Sequence, residues 1–546
     1  MIKIVIFSIC FFVFGQYYAQ NKVYTKYDTL FGSNTVYRDW WNVLHYDITV
    51  TPNFKTKSIR GIQKLTFSVI EERENYEMQI DLQEPLLIDS IFFENKKVSK
   101  WRTSKYMYFI SFDKLLKGSI NALLIYYHGK PREATNPPWD GGWVWKKDSL
   151  GNPWMSVACQ GDGASIWYPC KDLQSEEPDN GAMLSIIVPD TLYGIGNGKL
   201  KNITKFNDGS TQYTWEVINT INSYDIVPYI GKYTCLKDSV VGLKGTLYTD
   251  YWVLNYHVNK AKQHLKSNVV KTIACLENWF GPYPFYNDTY KIVESPYLGM
   301  EHQSNIAYGN KYINGYLGSD LSGTGWGLKW DFIVVHESAH EWFGNSITAK
   351  DVADNWIHEG FASYAEVLFT ECGYGKLAGD SYCQGVRRGI LNDVPVIGTY
   401  DLRQEGSGDM YNKGSQVIHM IRQLINNDET FRLLLNKLSE KFYHKTVSTQ
   451  EFEEFLIAET KLNLKPIFDQ YLRTTKVPIL EYKFKGKNLM YRYTNCNADF
   501  TMPVKISAGQ TYEVVPTTKW QTLLVKKAFK SIELDKNMYV RLQRAR

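Results

Sequence analysis

Two histidines in the segment HESAHEWFGN, His336 and His340, lie four positions apart, and Glu337 directly follows the first of them. Residues four apart share one face of an α-helix, so both imidazoles can point at a single metal ion. Glu337 lies about 100° further round the same helix. It can therefore reach a water molecule at the metal without being a ligand itself. This pattern on a helix is typical of a zinc site with a general base beside it.

A third metal ligand is available at a suitable distance along the chain. Glu359, in WIHEGFASY, follows His340 after eighteen intervening residues. Catalytic zinc sites take three protein ligands and leave one position open. We therefore predict one Zn²⁺ per chain, held by His336, His340 and Glu359. The alternative is a chance match to the two-histidine pattern, and chance predicts no third ligand at this spacing.

The whole segment from residue 336 to residue 364 resembles the zinc signature of the gluzincin aminopeptidases, the aminopeptidase N family. Relatives in that family include the leukotriene-hydrolysing aminopeptidase. His358 stands where the family carries asparagine, at a position that is not a ligand. Ligand histidines usually need an orienting partner, and Asp354, Glu341 and Asn345 are all candidates for that position.

Two further motifs extend the resemblance towards the substrate. SPYLGMEHQS occupies the place of the family's G-A-M-E-N exopeptidase motif: Gly299, Met300 and Glu301 fit it, and His302 replaces the asparagine. CQGDGASIWYPCKD resembles the segment that ends in F-P-C-x-D, with Gln160 at the amine-site position. The resemblance implies that these fitting residues bind substrate. Glu301 would hold a free ammonium group by charge-assisted hydrogen bonding, and Gln160 would add an amide acceptor.

A fourth motif, MYNKG, resembles the family's Y-x-K-G and implies that Tyr411 stabilises the transition state. Together these motifs predict a zinc aminopeptidase that acts on peptides with a free N-terminus and uses Glu337 as general base. A zinc endopeptidase would lack an amine clamp, so the residues around Glu301 argue against it. A catalytically silent relative that serves as a binding scaffold would have lost a ligand or the base, and neither is lost here. Epoxide hydrolysis beside peptidase activity would rest on Gln160 alone.

The elements around these motifs predict a multidomain α+β protein. A chain of 546 residues with 44% hydrophobic and 22% charged residues is globular and too long for one core. Short strand patterns predict an N-terminal antiparallel β domain over residues 20–234. Helical spacing and the resemblance together predict a thermolysin-like, mainly helical catalytic domain over residues 235–476. Strand patterns return in a small β-sandwich over residues 477–546, and the family's large C-terminal helical-repeat domain has no counterpart.

Two local expectations concern loops and cysteines. The stretch KPREATNPPWDGGWVWKKDSLGNPW is so rich in Pro and Gly that we predict a loop, with its tryptophans used for packing or as a binding rim. The cysteines are too sparse for a disulfide-built scaffold. Cys372 and Cys383 could pair across a helix end, although spacing does not decide it.

The N-terminus predicts a secretory signal peptide over residues 1–19. An apolar run from Ile4 to Phe14 follows one lysine and is too short to span a bilayer comfortably, with cleavage expected near Ala19. Retention as an anchor is the alternative. We therefore expect a secreted or periplasmic protein without a stable membrane span after cleavage. A net charge of +5 dispersed over the length is too weak to suggest a nucleic-acid binder, so we expect no nucleic-acid partner.

Overall fold

The computed structural model describes residues 24–527 and 529–545. Their fold is mixed α+β: a β-rich N-terminal region is followed by a mainly helical region and then by a smaller β region. This confirms the predicted fold class and the order of its parts. The signal peptide predicted for residues 1–19 lies outside the described residues. Within them, no helix is both long and apolar enough to span a bilayer.

The N-terminal region consists of one short helix and a series of strands. The helix, α1, covers Lys26–Gly32. The strands are β1 Trp41–Asn53, β2 Ser58–Val69, β3 Tyr76–Asp81, β4 Leu87–Phe93, β5 Lys96–Lys97, β6 Trp101–Ser104, β7 Met107–Phe112, β8 Ile120–Gly129, β9 Gly142–Lys147, β10 Pro153–Ala158, β11 Ala182–Pro189, β12 Tyr193–Ile195, β13 Lys199–Lys205, β14 Ser210–Val217 and β15 Tyr229–Gly231.

These strands form a large sheet with the order β13-β14-β11-β1-β2-β8-β4-β5 and two smaller ones, β12-β15-β10-β9 and β3-β7-β6. Pairing is antiparallel except between β1 and β11, which run parallel. Residue alternation explains the large sheet: Tyr46, Ile48 and Val50 of β1 are buried on one face. Alternate positions of a strand point to opposite faces, so every second residue from Tyr46 to Val50 reaches the core.

The prediction of a loop over residues 130–154 is wrong for the second half of this stretch. GWVWKK forms β9, which pairs antiparallel with β10 across a short turn. Trp143 and Trp145 of β9 are buried and stack with their ring centroids 5.2 Å apart, so they pack and do not form a rim. Glycines and prolines on both sides of this short strand obscured its aromatic, strand-forming character.

The helical region contains a five-stranded sheet, a two-stranded sheet and the α-helices that follow α1. Its strands are β16 Tyr233–Gly242, β17 Gly245–Leu254, β18 Tyr290–Glu294, β19 Gly299–Met300, β20 Ile306–Tyr308, β21 Ile347–Ala349 and β22 Lys445–Val447. Its helices are α2 Val258–Phe280, α3 Phe332–Ala339, α4 Trp356–Tyr374, α5 Lys376–Val386, α6 Asn412–Ile425, α7 Asp428–Lys441, α8 Thr449–Thr460 and α9 Lys465–Tyr471.

The five-stranded sheet of this region has the order β16-β17-β18-β20-β19. The two-residue strand β19 therefore lies at its edge, where it contacts α3. Helix α4 contacts α2, α3, α5 and α6 and occupies the centre of the helical layer. Its residues are buried from Trp356 to Thr370, so this helix carries its side chains into the core on every side.

The C-terminal region forms two small sheets, β27-β24-β23-β29 and β26-β25-β28. Their strands are β23 Ile479–Lys485, β24 Asn488–Thr494, β25 Val504–Ser507, β26 Thr511–Val514, β27 Gln521–Leu524, β28 Glu533–Leu534 and β29 Arg541–Arg544. Buried residues of these sheets, including Leu480, Leu489 and Ile506, belong to the same hydrophobic core as the helical region. The C-terminal region therefore packs on the helices that form the site.

A disulfide joins Cys275 of α2 to Cys372 of α4. The pairing of Cys372 with Cys383 considered from spacing is therefore wrong. Cys383 is a free buried thiol on α5, and the Gln416 side chain of α6 donates hydrogen bonds to its carbonyl oxygen and its sulfur. Spacing along the chain favoured the nearer cysteine, whereas helix packing brings the distant one to Cys372.

Candidate active site

Helix α3 begins with a strong cap and carries the two histidines into the protein. Asp331 accepts a hydrogen bond from the Val334 amide at 3.2 Å and satisfies one of the free amide groups of the first turn. His336 lies in the last turn of α3, and His340 follows directly with helical backbone angles. The four-residue spacing therefore places both imidazoles on one face, as the sequence predicts.

The predicted ligand atoms converge on one point. Nε2 of His336 lies 3.3 Å from Nε2 of His340, and Oε2 of Glu359 lies 3.4 Å from each of them. Three donors of a tetrahedral site about 2.0–2.1 Å from an ion are about 3.3–3.4 Å apart. Oε2 of Glu359 is buried and has no hydrogen-bond partner in the described part of the chain. The three atoms thus fit one metal ion with nitrogen and oxygen ligands.

The other nitrogen of each histidine has a partner that fixes the ring. Nδ1 of His336 lies 2.8 Å from Oε1 of Glu366, and Nδ1 of His340 lies 3.0 Å from the carbonyl oxygen of Phe343. When Nδ1 carries the proton, the lone pair of each Nε2 is free to face the position between the three ligand atoms. Tyr382 holds Glu366 in turn, by donating a 2.7 Å hydrogen bond to Oε2.

Glu366 is therefore the orienting residue that sequence reasoning missed. The candidates Asp354, Glu341 and Asn345 do not contact the ring nitrogens; Asp354, for example, accepts hydrogen bonds from Thr449 and Tyr400. A signal for Glu366 was present, since it follows Glu359 by seven positions on α4. Seven residues are about two turns, so the two carboxylates share a face of that helix.

The surroundings of Glu359 keep its carboxyl group ionised, as a metal ligand must be. Burial alone would raise the pKa of Glu359, but the adjacent His340 and His336 lower it below its usual range, so the ligand stays a carboxylate. Burial of Glu337, only partly offset by the two histidines, raises the pKa of its carboxyl to about 7. A carboxyl with a pKa near neutrality can both accept and release a proton at that pH.

Glu337 packs against the edge strand β19. A Cβ built on Gly299 would lie 2.4 Å from Oε1 of Glu337, so any larger residue here would displace this carboxylate. The next residue, Met300, is buried and belongs to the hydrophobic core of the N-terminal region. Strand β19 therefore connects Glu337 on α3 to the N-terminal region, and the substrate contacts predicted for Gly299 and Met300 stay predictions.

Glu301 follows β19 and brings a third carboxylate to the site. Its side chain is 3% exposed. Its Oε1 accepts hydrogen bonds from the Gln160 amide and, at 3.1 Å, from the Tyr224 hydroxyl. Polar atoms of Glu301, Glu337 and His340 lie within 4.8 Å of one another. The two residues predicted to bind an ammonium group are therefore in contact, beside the metal ligands. Tyr224 was not predicted.

Tyr411 directly precedes α6 and faces the ligands. Its ring stacks on that of His336 with the centroids 6.0 Å apart, and 36% of the residue remains exposed. Burial of the hydroxyl and the nearby carboxylates of Glu359, Glu405 and Glu301 raise its pKa well above the usual range. The hydroxyl therefore stays protonated and can donate a hydrogen bond.

Close packing of α4 against α6 sets the position of Tyr411 relative to Glu359. A Cβ on Gly414 of α6 would lie 2.9 Å from the Cα of Gly360 on α4. The two glycines let the helix backbones approach closely. Each adjoins the site, because Gly360 follows the ligand Glu359 and Gly414 lies three positions after Tyr411.

The two histidines that depart from the family pattern are structural. His302 is buried, its Nδ1 lies 2.6 Å from the hydroxyl of Tyr229, and burial lowers its pKa to about 3. Nε2 of His358 accepts a 2.7 Å hydrogen bond from the Ala349 amide. Both rings therefore remain neutral and connect neighbouring segments.

Part of the chain matches a known family model. Residues 266–471 match the peptidase family M1 domain. The chain is 24% identical over 344 residues to leukotriene A-4 hydrolase of Xenopus laevis, which covers 58% of this chain and 52% of that protein. It is 24% identical over 369 residues to aminopeptidase M1-B of Oryza sativa subsp. japonica, with 64% and 40% covered. The chain thus spans about half, or less, of the length of these curated relatives.

Solved structures agree in fold. A mutant M1 zinc metallopeptidase from Deinococcus radiodurans bound to a Tyr-Ser-Ala substrate superposes with a TM-score of 0.67 and 19% identity, covering 81% of this chain and 96% of that one. A further structure of the M1 zinc metallopeptidase from Deinococcus radiodurans gives a TM-score of 0.64 and 21% identity, with 77% and 90% covered. At this identity the likeness shows the fold. Residues 266–471, which match the peptidase family M1 domain, thus lie within a chain of the same fold as these metallopeptidases.

Proposed function

We propose that this protein is a zinc aminopeptidase that hydrolyses the first peptide bond of peptides with a free amino terminus. The observation that carries the proposal is the buried carboxylate of Glu301, which lies within 4.8 Å of Glu337 and His340 and accepts from Gln160. A carboxylate so close to the base can pair with the substrate's ammonium group. Pairing at this short distance would leave the first peptide bond, and no later one, at the reacting centre.

The donor set favours zinc. Two imidazole nitrogens and one carboxylate oxygen, each about 3.3–3.4 Å from the others, leave a fourth tetrahedral position open for water or substrate. A zinc ion bound there would polarise the scissile carbonyl and acidify an attacking water. The partners of Nδ1, Glu366 and the Phe343 carbonyl, would hold the two rings in the ligating tautomer.

The protein residues divide the reaction between them. Glu337 accepts the proton of the attacking water and delivers it to the departing amine, for which a pKa of about 7 is well suited. Tyr411 donates a hydrogen bond to the carbonyl oxygen as negative charge develops on it. Glu301, supported by Tyr224 and Gln160, binds the ammonium group before and during these steps.

The edge of the sheet offers a place for the substrate backbone. Strand β19 pairs on one side with β20 and ends the sheet on the other. An extended peptide can add to an open strand edge through main-chain hydrogen bonds. At β19 such a peptide would run past Gly299, where the absent side chain leaves Glu337 close to the substrate.

The proposal is tested by metal content and by one substitution that separates ligand from base. Purified protein should contain one zinc per chain, and a strong chelator should abolish hydrolysis of aminoacyl fluorogenic substrates. Glu337→Gln should keep the metal, because the residue is not a ligand, and should lower kcat by at least about 10²-fold. Full activity in a sample verified to be metal-free would overturn the zinc mechanism.

We further propose that the protein is exported and matures near residue 20. The disulfide between Cys275 and Cys372 supports this, since such bonds persist in oxidising compartments. N-terminal sequencing of protein recovered from the producing cells tests the proposal, and an intact Met1 would argue for a retained anchor.

A further inference from the structure

The Gln160 loop must be held in place for the amine site to exist. Gln160 belongs to the N-terminal region, in the loop after β10, whereas Glu301 belongs to the helical region, 141 positions further along the chain. Gln160 is partly exposed, so packing alone does not fix it. Whatever holds this loop against the helical region therefore decides how Gln160 meets Glu301.

Arg403 makes that connection. It lies between α5 and α6, and its guanidinium donates to three backbone carbonyls of the N-terminal region. Nε donates to Gly161 O at 3.2 Å, Nη1 to Asp172 O at 3.2 Å, and Nη2 to Gln160 O at 3.5 Å. Nη1 also lies 3.0 Å from Oδ1 of Asp172, and the two side chains are only 6% and 3% exposed. One side chain thus binds the backbone of Gln160 itself and that of the next residue.

Asp172, the ionic partner of Arg403, organises the rest of the same loop. Its Oδ2 accepts from the Ser165 amide at 3.0 Å and from the Ser165 hydroxyl at 2.5 Å. A Cβ on Gly163 would lie 2.2 Å from this oxygen, and Gly163 has a φ of +91° that favours glycine. The loop from 160 to 165 is therefore wrapped around one carboxylate, and Arg403 neutralises that carboxylate.

The N-terminal helix α1 covers the other side of the guanidinium. Arg403 lies 4.8 Å from the ring centroid of Phe31. A Cβ on Gly32 would lie 2.5 Å from the backbone nitrogen of Arg403, so α1 packs directly on the segment that carries it. A stacked and shielded guanidinium has little freedom to leave its carbonyl partners.

We propose that Arg403 is a positioning residue that holds Gln160 against Glu301 and thereby sets the preference of the enzyme for a free amino terminus. This inference rests on the proposed aminopeptidase function. The position requires the several N–H donors of a guanidinium, because they bind three carbonyl oxygens and one carboxylate at once. A lysine would keep the charge but could not reach all of these acceptors.

Arg422 provides a matched control in the same chain. It is 1% exposed, pairs with Glu371 at 2.7 Å and with Asp428 at 2.9 Å, and stacks 4.9 Å from the ring of Trp279. It therefore resembles Arg403 in burial, ionic partners and aromatic contact. It has no contact with the Gln160 loop, so its loss should affect stability without affecting substrate choice.

The experiment compares Arg403→Gln, Arg403→Lys and Arg422→Gln in the full-length zinc-loaded protein. A peptide with a free amino terminus and its acetylated counterpart are assayed for kcat and KM, and the Tm of every variant is measured. For Arg403→Gln we expect kcat/KM on the free peptide to fall about 10-fold or more, mainly through a higher KM, while the acetylated peptide changes less than about 3-fold. Arg403→Lys should lie between this variant and the wild type.

Arg422→Gln should lower Tm and leave the ratio of free to acetylated cleavage at its wild-type value. A wild-type ratio in folded Arg403→Gln would overturn the inference, and so would an equal change of ratio in both glutamine variants. If Arg403→Gln does not fold, Arg403→Lys and Phe31→Leu are compared with the wild type. The inference predicts a lower ratio of free to acetylated cleavage in both variants, and unchanged ratios refute it. A wild-type protein that cleaves both peptides equally would instead refute the proposed aminopeptidase function, which is a separate result.

Discussion

At the scale of residues, the atoms that fit a metal ion are separate from the carboxylate that we propose as the general base. His336, His340 and Glu359 have their donor atoms 3.3–3.4 Å apart, whereas Oε1 of Glu337 lies against Gly299 of the edge strand β19. Burial raises the pKa of the Glu337 carboxyl to about 7, which suits the proposed proton transfer. Tyr411 approaches the cluster from the position just before α6, with a hydroxyl that stays protonated because its pKa is raised.

Tyr411→Phe removes one hydroxyl and little volume. If the hydroxyl acts on the transition state alone, kcat should fall by about 10²–10³-fold with a modest change in KM. The measurement is steady-state kinetics on a free-terminus peptide, with Tm recorded as the control for folding. A rate within a few fold of wild type would make Tyr411 a packing residue.

At the scale of elements, helix α4 brings the parts of the site together. It carries the candidate ligand Glu359 and also Glu366, which contacts the ring of His336. It is joined to α2 through the Cys275–Cys372 disulfide and contacts α3 and α6. Its contact with α6 depends on two facing glycines, so the distance between the ligand and Tyr411 is set by backbone packing.

Gly414→Ala tests that packing, because its new methyl group would lie 2.9 Å from the Cα of Gly360. We expect a loss of stability of about 1–3 kcal/mol from overpacking and a lower kcat, as the helices separate and Tyr411 moves from Glu359. The matched control is Gly373→Ala near the end of α4, where an added Cβ meets nothing within 4 Å. There alanine should raise stability by roughly 0.5–1 kcal/mol without affecting kcat. If Gly414→Ala and Gly373→Ala have the same kcat, the close contact of α4 with α6 does not position Tyr411.

At the scale of the whole molecule, the site lies where the N-terminal and helical regions meet. Gln160 and Tyr224 come from the first, and Glu301 with the ligands from the second. The core of the N-terminal region continues into Trp252, Val293 and Met300, so the two regions share buried surface around β19. A contact of this kind can hold an amine clamp at a fixed distance from the metal ligands.

The sequence predicted those parts of the site that depend on spacing within one or two helices. His336, His340 and Glu359 form their cluster because helical geometry converts spacing into position. Arg403 could not be found in this way, since it lies 231 positions from Asp172, and only tertiary packing brings them together. The Cys275–Cys372 disulfide was not predicted for the same reason. Strand β9 was not predicted because glycines and prolines flank it.

The central claim, that Glu301 anchors a free amino terminus, is tested most directly with one peptide in free and acetylated form. Wild-type protein and Glu301→Ala are assayed on both, because acetylation removes the positive charge and would leave the Glu301 carboxylate buried without a partner. We predict that the wild type cleaves the acetylated peptide at least about 10²-fold less efficiently, and that Glu301→Ala impairs cleavage of the free peptide far more than that of the acetylated one. Equal cleavage of both peptides by the wild type, or cleavage inside the chain, would contradict the account and favour an endopeptidase.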